Sequence, residues 1–319
     1  IALVTAPLRG PALDELRELA EVVFDPWIEH SPIVLLGPDD LAARIDETGA
    51  TILVCEADFC SGPVLERPLT AIGSTRGDPT NVDVDGATAA GIPVLHTPGR
   101  NADAVAEMTV ALLLALTRGV VPGHRDMQEG TVYGETLPYQ RYRAWQVAGR
   151  TAGLVGLGAV GRATKWRLEG LGMRVIAADP FAADATHELD DLLAEADVVS
   201  MHAAVTPDTF GMINAAKFDL VQEGAYYLNT ARAGLHDVDA LVAALDTGRL
   251  AGAALDHVDG ESLPAGHPLL GRDNVVLTPH IGGATYDVET RQTEMIVADL
   301  KAVLAGEQPT HCKNPEVLA

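Results

Sequence analysis

Residues 151–180 read TAGLVGLGAVGRATKWRLEGLGMRVIAADP, and they fix the fold class of this chain. Ala152–Val155 is a short apolar run of the kind that a buried parallel strand needs, and it leads into a glycine-rich turn. A helix is predicted to follow over residues 159–171, and a second strand over residues 174–178. The stretch therefore predicts a complete βαβ unit that binds a nucleotide.

The glycine-rich turn carries Gly156, Gly158 and Gly161 at G-x-G-x-x-G spacing. In such a turn the first glycine allows the tight bend, and the second lets backbone N–H groups approach a pyrophosphate. The third lets the helix pack close to the sheet. The helix presents its N-terminus, with Ala159 and Val160, to the phosphates, where unpaired N–H groups and the helix dipole favour an anion. These five residues form the predicted pyrophosphate site.

The second strand of the unit ends in Asp179, roughly 20 residues beyond the turn, where a dinucleotide-binding unit places an acid for the ribose hydroxyls. A carboxylate there would repel a 2′-phosphate, and the following Pro180 and Phe181 supply no arginine in its place. The sequence therefore predicts NAD in preference to NADP, with Asp179 and Pro180 beside the ribose. A structural βαβ turn without a cofactor is the alternative interpretation.

The chain has 319 residues, which is more than one ordinary core accommodates, so two domains are expected. Strand and helix patterns alternate before residue 96 and again after the nucleotide unit, which predicts parallel sheets with helices on both faces. The predicted fold is α/β, with two Rossmann-like, doubly wound parallel-sheet domains. Residues 1–98 with 287–319 are predicted to form a flavodoxin-like substrate domain, and residues 99–286 the NAD-binding Rossmann domain.

Four further segments complete the predicted organisation. A long helix is predicted over residues 103–117, and its apolar residues occupy more than the single stripe of a surface helix. Residues 124–146 are rich in glycine, proline and tyrosine, which predicts an irregular arm. An amphipathic helix is predicted over residues 286–305, and residues 312–315 are expected to return to the first sheet.

The charge of the sequence limits the classes of partner. A net charge of −23 and a pI near 4.6 argue against nucleic acid and anionic membranes, because binding phosphates needs basic patches. No segment reaches the roughly 20 uninterrupted apolar residues of a membrane span, and no signal peptide is visible. A cytoplasmic protein is therefore expected. Salt adaptation and biased composition both explain the acidic, lysine-poor sequence, and the choice between them stays open.

The three cysteines are Cys55, Cys60 and Cys312. Their number is odd and they lack zinc-type spacing with histidine. Neither a disulfide framework nor a metal site is predicted, and reduced thiols are expected.

Three motifs lie where strands of the second predicted sheet end, which is where open α/β sheets bind ligands. They are Asn229–Gly234 (NTARAG), Ala254–Asp256 (ALD) followed by Glu261, and Thr278–Gly283 (TPHIGG). With the nucleotide unit they closely resemble the D-isomer-specific 2-hydroxyacid dehydrogenase family, which includes phosphoglycerate, glycerate and formate dehydrogenases and glyoxylate/hydroxypyruvate reductases. The resemblance runs from the region of Gly73 to the C-terminus, and it implies an active site in the cleft between the two domains.

By that resemblance the catalytic residues are Arg232, Glu261 and His280. Reduction of a 2-oxo acid adds hydride to the carbonyl carbon and a proton to its oxygen, and a histidine suits the proton donor. A carboxylate beside it, Glu261, favours the imidazolium and orients the ring. Arg232 would hold the substrate carboxylate and polarise the carbonyl. Taken singly, the three residues also have structural interpretations, as a surface arginine, a solvated loop acid and a core histidine.

The resemblance also implies residues that line the cofactor site. Asp256 matches the position that binds the nicotinamide carboxamide. The other matching positions in this sequence are Thr109, His202, Thr206, Thr230, Ala231 and Gly282. Three positions depart from the family pattern: Ala204 replaces a usual proline, Ser262 replaces the proline that commonly follows the catalytic glutamate, and His257 stands where a small aliphatic residue is usual. None of these departures removes a reacting group.

A substrate loop of the resembled family falls on residues 74–77, where backbone N–H groups would meet the substrate carboxylate. Arg76 and Gly77 of this loop are predicted substrate-binding residues, together with Arg100 and Arg232. The positive charges of Arg76 and Arg100 would suit a phosphate or a polyhydroxy acid.

Other features leave the substrate open. Either of the two arginines could instead pair with a neighbouring acid such as Asp78 or Asp103. Glu56 and Asp58 lie in the other expected substrate loop of the first domain, where they would disfavour a bare phosphate and tolerate hydroxyls. Phosphoglycerate, glycerate or glyoxylate chemistry, or a longer sugar acid, all remain possible substrates.

The sequence thus predicts an NAD-dependent dehydrogenase that interconverts a small polar D-2-hydroxy acid and its 2-oxo acid. A homodimer is expected. The helix over residues 103–117 would be buried against its own sheet and against the same helix of a two-fold-related chain, which resembles the dimer of the family. Two alternatives stay open: an NAD-binding transcriptional co-regulator of the same fold, and a dehydrogenase of the formate or phosphite type that reduces no carbonyl.

Overall fold

The structure, a computed structural model, describes residues 1–318. The chain divides into two compact units: the first holds Ile1–Arg100 and the residues from Thr285 onward, and the second holds Asn101–Ala284. These limits lie two residues from the predicted boundaries at 98/99 and 286/287. Each unit is built on one parallel sheet, so the predicted α/β fold class with two doubly wound parallel-sheet domains is confirmed.

The strands of each sheet run parallel. Those of the first unit are β1 (Ala2–Val4), β2 (Val22–Phe24), β3 (Ile52–Cys55), β4 (Ala71–Ser74) and β5 (Val94–Leu95). Those of the second unit are β6 (Thr151–Val155), β7 (Arg174–Ala178), β8 (Val198–Met201), β9 (Ala225–Asn229), β10 (Leu250–Leu255) and β11 (Val275–Leu277). The sheet orders are β2-β1-β3-β4-β5 and β11-β10-β9-β8-β6-β7. The strand order of the second sheet reverses between β6 and β8, which is the position where such sheets bind ligands.

Helices cover both faces of each sheet. Those of the first unit are α1 (Pro11–Leu19), α2 (Pro38–Thr48), α3 (Val84–Ala89) and α11 (Tyr286–Ala305). Those of the second unit are α4 (Ala102–Thr117), α5 (Val120–Glu129), α6 (Pro138–Arg141), α7 (Ala159–Gly170), α8 (Leu189–Glu195), α9 (Ala215–Leu220) and α10 (Val238–Asp246). The bounds of α11 have clear local causes, because the Thr285 hydroxyl accepts the Val288 N–H at its start and Gly306 adopts the left-handed conformation at its end.

Two apolar layers bury each sheet. In the first unit, Leu41 and Ile45 of α2 pack in the layer on one face, and Leu13 and Leu16 of α1 pack with Ile296 of α11 on the other. In the second unit, α4 and α7 contribute to one layer, and α8, α9 and α10 contribute to the other. The layers consist mainly of leucine, valine, isoleucine and alanine, as the 4% aromatic content requires.

The carboxyl ends of four neighbouring strands in the second sheet are in register. Met201 of β8 pairs with Asn229 of β9, Asn229 pairs with Leu255 of β10, and Leu255 pairs with Leu277 of β11. The chain therefore brings the residues that follow these strands to one edge of the sheet. They are His202, Thr230, Asp256 and Thr278. The glycine turn starts at the same edge, because Val155 of β6 pairs with Met201.

The prediction of an irregular arm over residues 124–146 is wrong in two places. Helix α5 extends to Glu129, and α6 forms a short turn of helix within the arm. Gly119 adopts the left-handed conformation and starts α5, and Pro122 stands in its first turn, where a missing N–H costs nothing. Within residues 1–318 no single helix has the length and hydropathy of a membrane span. Helices α4 and α5 have that length and hydropathy only when they are counted together, and a 61° bend separates them.

Candidate active site

The three glycines of the turn after β6 have different surroundings. Gly156 has a φ of 99°, and a Cβ there would lie 2.7 Å from the backbone nitrogen of Ala203, in the loop after β8. A Cβ on Gly161 would lie 2.2 Å from the carbonyl oxygen of Gly156, so α7 could not pack as closely with any larger residue. A Cβ on Gly158 would meet open space, and no side chain caps α7 at this position. The turn therefore leaves room at the N-terminus of α7, beside Ala159 and Val160, which fits a pyrophosphate.

Asp179 lies at the end of β7 and contacts the glycine turn. Its Oδ2 accepts the Leu157 N–H at 2.7 Å, and its Oδ1 accepts the Phe181 N–H at 2.8 Å. The neighbouring Pro180 is exposed. Arg162 forms two hydrogen bonds of 2.7 Å with the carboxylate of Asp184, and these bonds, with the charges of Asp184 and Asp179, raise the pKa of Arg162. At the ribose end of the predicted site, Arg162 therefore lies among the acidic groups Asp179 and Asp184.

His202 follows β8 at the point where the strand order reverses. The residue is half-buried, and desolvation lowers the pKa of His202 to about 4, so the ring is neutral. Its Nε2 lies 2.9 Å from the Ser200 hydroxyl, and its buried Nδ1 has no partner among residues 1–318. An unpaired buried nitrogen is costly, and a polar group bound beside the glycine turn would be one way to satisfy it.

The remaining residues predicted to line the cofactor site divide into buried and exposed positions. The hydroxyls of Thr109 and Thr230 lie 2.8 Å apart, and both residues are buried. Ala231 is half-buried and donates its N–H to the Asn229 side chain at 3.0 Å. Thr206 lies on an exposed loop, where its N–H donates to the Thr209 hydroxyl.

Asp256 organises the loop that follows β11. Its buried carboxylate accepts the Thr278 hydroxyl at 2.6 Å, the Ile281 N–H at 3.0 Å and the Gly282 N–H at 2.7 Å. A Cβ at position 282 would lie 2.7 Å from Asp256 Oδ2, so a larger residue there would displace the carboxylate. Thr278 precedes His280 in the chain, and Ile281 and Gly282 follow it. Asp256 therefore holds the loop on both sides of His280.

His280 and Glu261 lie in contact. His280 Nδ1 is 3.0 Å from Glu261 Oε1 and 3.1 Å from Oε2. His280 has a φ of 54° and Glu261 a φ of 61°, and they are the non-glycine residues with positive φ in the part of the chain that the structure describes. Such conformations are strained and persist only where surrounding contacts enforce them, and they are common at active sites.

His257 is the residue that sequence reasoning left without a role. Its Nδ1 accepts the Ala233 N–H at 3.0 Å, and its Nε2 lies 3.4 Å from Glu261 Oε1. Its ring meets the His280 ring edge to face, with centroids 4.6 Å apart. The departure from the family pattern at position 257 was the one sequence signal that could have identified this contact.

The charges around Glu261 affect one another. Partial burial acts to raise the pKa of Glu261, but the hydrogen bond to His280 and the charges of His280, His257 and Arg232 outweigh it, so the pKa is lowered. Partial burial lowers the pKa of His257, as do the charges of His280 and Arg232, against the opposite effects of Glu261 and Asp256. His257 is therefore neutral at physiological pH, beside an ionised Glu261.

The sequence predicts no metal site, and the structure brings three possible metal ligands together. Candidate ligand atoms of His257, Glu261 and His280 lie within 4.8 Å of one another. The contacts already described between these three side chains account for this proximity.

Arg232 lies in the turn after β9. The Asn229 side chain accepts the Ala231 N–H and donates to the Arg232 carbonyl oxygen at 2.8 Å, which fixes the turn. The Arg232 side chain is exposed and donates from Nη1 to the Ala231 carbonyl oxygen at 2.7 Å. It is close enough for its charge to lower the pKa of both His257 and Glu261. The structure thus brings the three predicted catalytic residues together in the second unit.

The substrate residues predicted in the first unit make contacts within that unit. Arg76 donates from Nε to the Glu56 carbonyl oxygen at 2.6 Å, and Gly77 accepts a hydrogen bond from His96 at 2.8 Å. Arg100 pairs with the Glu56 carboxylate at 2.6 Å and donates to the Gln292 side chain. Burial lowers the pKa of Arg100, against the opposite effect of Glu56. Arg100 therefore has an acid partner, as the alternative interpretation anticipated, and that acid is Glu56.

Comparison with known proteins assigns the chain to a family. Residues 110–282 match the family model described as D-isomer specific 2-hydroxyacid dehydrogenase, NAD binding domain. A glyoxylate reductase of Thermofilum pendens is 36% identical over 99% of this chain and 94% of its own length. A glycerate dehydrogenase of Methylorubrum extorquens is 34% identical over 75% of this chain and 76% of its own length.

A solved structure agrees with these matches. The TT0316 protein from Thermus thermophilus superimposes with a TM-score of 0.85 at 38% identity, over 98% of this chain and 99% of that one. The chain therefore belongs to the D-isomer-specific 2-hydroxyacid dehydrogenase family, and it is an NAD-dependent oxidoreductase.

Proposed function

We propose that this chain reduces a small polar 2-oxo acid to the D-2-hydroxy acid, with His280 as the proton donor. The observation that supports this most is the contact between His280 and Glu261, which two strained backbone conformations hold at the carboxyl edge of the sheet. Because Glu261 contacts Nδ1, Nε2 is the ring nitrogen left to donate a proton to the carbonyl oxygen. Glu261 stabilises the imidazolium and keeps Nδ1 protonated after the transfer.

Arg232 would bind the substrate in this proposal. Its exposed guanidinium presents several N–H donors in one plane, which suits a carboxylate and an adjacent carbonyl oxygen. Its positive charge would also stabilise the negative charge that develops on the carbonyl oxygen during reduction. The hydrogen bonds of Asn229 fix the turn and so limit the entropy lost when substrate binds.

The residues of the second unit fit NAD. NADH, when bound, supplies the hydride for the carbonyl carbon. The pyrophosphate would be held at the glycine turn and the N-terminus of α7, and the ribose hydroxyls at Asp179 with Pro180 nearby. The residues that would line the rest of the site are Thr109, His202, Thr206, Thr230, Ala231, Asp256 and Gly282.

NADH should be preferred to NADPH by at least roughly tenfold in kcat/KM, about 1.4 kcal/mol. The Asp179 carboxylate would repel a 2′-phosphate, and the nearby Arg162 is already paired with Asp184. Steady-state kinetics with both cofactors at one substrate concentration measure the ratio. Asp179→Asn is the matched variant, because it keeps an acceptor oxygen for a backbone N–H and removes the charge. Equal rates with the two cofactors in the unmodified protein would contradict the prediction.

The proposed substrate is a small acid with hydroxyl groups and no phosphate. The Glu56 carboxylate pairs with Arg100 and partly compensates its charge, while Arg76 donates to the Glu56 carbonyl oxygen and to the Thr80 hydroxyl. The neighbouring Asp58 is buried, and its Oδ2 has no partner among the described residues. An acidic environment of this kind disfavours a phosphate and accepts hydroxyl donors. The relatives named as glyoxylate reductase and glycerate dehydrogenase support the same substrate class.

A reductase screen over 2-oxo acids tests the proposed function. Purified protein would be mixed with NADH and with glyoxylate, hydroxypyruvate, phosphohydroxypyruvate or a longer sugar-derived 2-oxo acid, and NADH absorbance followed. Formate and phosphite oxidation would be assayed in parallel with NAD. Turnover of an unphosphorylated 2-oxo acid is the expected result. Oxidation of formate or phosphite alone, or cofactor binding without any turnover, would overturn the proposal in favour of one of the two alternatives.

We further propose a homodimer. Leu112, Leu113 and Leu116 of α4 are buried within the single chain, so this helix is largely covered by its own unit. Several exposed apolar side chains lie in the segment that follows α4, where Met127 is 68% exposed and Tyr139 is 81% exposed. Exposed apolar residues clustered in one segment are typical of an interaction surface.

The mass in solution tests the assembly. At micromolar concentration, light scattering should give twice the mass of the chain. Tyr139→Ser should shift the population towards single chains, while serine at the isolated exposed Phe181 should leave it unchanged. A single-chain mass for the unmodified protein would contradict the proposal.

A further inference from the structure

We propose that His257 is a positioning residue that links the turn of Arg232 to the carboxylate of Glu261 and so aligns both groups with His280. This inference rests on the proposed function, since it assigns His257 to the same acid–base site. An aliphatic side chain at this position could form neither of the two polar contacts that His257 makes.

The hydrogen bond to the backbone determines which ring nitrogen carries the proton. Because His257 Nδ1 accepts the Ala233 N–H at 3.0 Å, it cannot itself be protonated, and the neutral ring must carry its proton on Nε2. That N–H lies toward Glu261 Oε1, at 3.4 Å between the heavy atoms. This distance is long for a hydrogen bond, so the contact is a weak one that orients the carboxylate. Ala233 directly follows Arg232, so one ring connects the two functional groups.

The second contact compensates for the exposure of Glu261. Its side chain is 59% exposed, and a solvated glutamate retains rotamer freedom unless neighbours restrict it. His280 Nδ1 contacts both oxygens of the carboxylate, and His257 Nε2 adds a second contact to Oε1. The edge-to-face contact between the two histidine rings completes the group. With both contacts, the carboxylate stays directed at His280 Nδ1.

The backbone after Glu261 explains why this chain needs such a contact. Ser262, which directly follows Glu261, has a φ of −155°, far from the value near −65° that proline requires. The loop therefore follows a path that a proline could not adopt, and it lacks the stiffness that a proline gives. Gly260, which precedes Glu261 and has a φ of 66°, adds further freedom. His257 supplies the restraint from the side chain instead.

The neutral state of His257 is part of the argument. Burial and the charges of His280 and Arg232 lower the pKa of His257 and favour the uncharged ring, against the charges of Glu261 and Asp256. A neutral ring can orient Glu261 without adding a positive charge beside the imidazolium of His280. His257 and His280 therefore share one carboxylate without competing as cations.

Three substitutions separate the two polar contacts. His257→Val removes both. His257→Asn keeps an acceptor for the Ala233 N–H but does not reach Glu261, and His257→Gln reaches Glu261 with an amide N–H but loses the acceptor position near the backbone. Each variant would be assayed for kcat, for KM and for the pH dependence of kcat/KM. Thermal unfolding and NADH binding serve as controls and should be unchanged.

His257→Val should raise KM by roughly tenfold, because the Arg232 turn loses an anchor, and should move the alkaline fall of kcat/KM to lower pH. In His257→Asn, KM should return to the value of the unmodified protein. In His257→Gln, the pH profile should return to that of the unmodified protein. A purely structural role would lower the midpoint of thermal unfolding and would not separate the two readouts. Unchanged KM and pH profile in His257→Val would overturn the inference.

A second measurement needs no turnover. NMR titration of the His280 imidazole in the unmodified protein and in His257→Val should show a midpoint at lower pH in the variant, because Glu261 no longer stays directed at the ring. An identical midpoint would overturn the inference. A protein that turns over no 2-oxo acid but shows this difference would overturn the proposed function alone.

Discussion

Replacing His280 with alanine should lower kcat/KM by about 10²- to 10⁴-fold in both directions of the reaction. In reduction the carbonyl oxygen would lose its proton donor, and in oxidation the substrate hydroxyl would lose its base, since one imidazole serves both. NADH binding should stay within about twofold, because His280 contacts Glu261 and His257 and not the glycine turn. Steady-state kinetics in each direction and a fluorescence titration with NADH measure these quantities.

The backbone at position 280 requires a matched control. Its φ of 54° is strained for alanine, so a loss of activity in that variant could come from the loop and not from the missing imidazole. His280→Asn tolerates the left-handed conformation and carries no titratable group. It should be as inactive as the alanine variant. Activity above about a tenth of the unmodified level in His280→Asn would remove His280 from the proton-transfer step.

Replacing Arg232 with alanine should lower kcat/KM by about 10³-fold, on the order of 4 kcal/mol, through both KM and kcat. The guanidinium would lose its bonds to the substrate carboxylate, which raises KM. It would also lose its contact with the carbonyl oxygen, where charge develops, which lowers kcat. The side chain is exposed and donates within the chain to the carbonyl of the adjacent Ala231, so thermal unfolding should be nearly unchanged. Michaelis–Menten kinetics and calorimetry on the same preparation make the comparison.

Arg232→Lys distinguishes charge from geometry. Lysine keeps the positive charge but cannot present two parallel donors, so it should recover part of the KM effect and little of the kcat effect. An Arg232→Ala variant with raised KM and unchanged kcat would instead mean that Arg232 only attracts the anion. The role in stabilising the carbonyl oxygen would then have to be assigned to another group.

Local patterns were enough to predict much of the fold. The structure confirms the predicted bounds of β7 and of α11, because Asp179 follows the strand and Thr285 and Gly306 flank the helix. The nucleotide unit was equally legible, since the φ of Gly156 and the close packing of Gly161 are properties that only glycine supplies. Helix α5 was missed because residues 124–146 were interpreted together as an arm from their glycine, proline and tyrosine content, and residues 124–129 continue a helix that begins before them.

The contacts within the site were less predictable, since they join residues far apart in sequence. The motifs predicted that Arg232, Glu261 and His280 would converge, because strands in register deliver them to one edge of the sheet. The link from Ala233 to His257 spans 24 residues and the pairing of Arg100 with Glu56 spans 44, and no local pattern encodes either. Asp256 was assigned to nicotinamide by resemblance alone, and its hydrogen bonds to the His280 loop could be seen only in the structure.

The central claim is that Glu261 and His280 act as one acid–base pair, and the pH dependence of Glu261→Gln tests it most directly. Both carboxylate oxygens of Glu261 lie at hydrogen-bond distance from His280 Nδ1, and a carboxylate in this position favours an imidazolium. Reduction needs that imidazolium, so kcat/KM falls as pH rises and the ring loses its proton. His257 and Arg232 also face the pair, and both stay in place in this variant.

Glutamine keeps the size and hydrogen-bonding capacity of Glu261 and removes its charge. The fall of kcat/KM for reduction should therefore move to lower pH by about one unit. Oxidation, which needs the neutral ring, should extend to lower pH by a similar amount. Profiles of Glu261→Gln that superimpose on those of the unmodified protein in both directions would contradict the account.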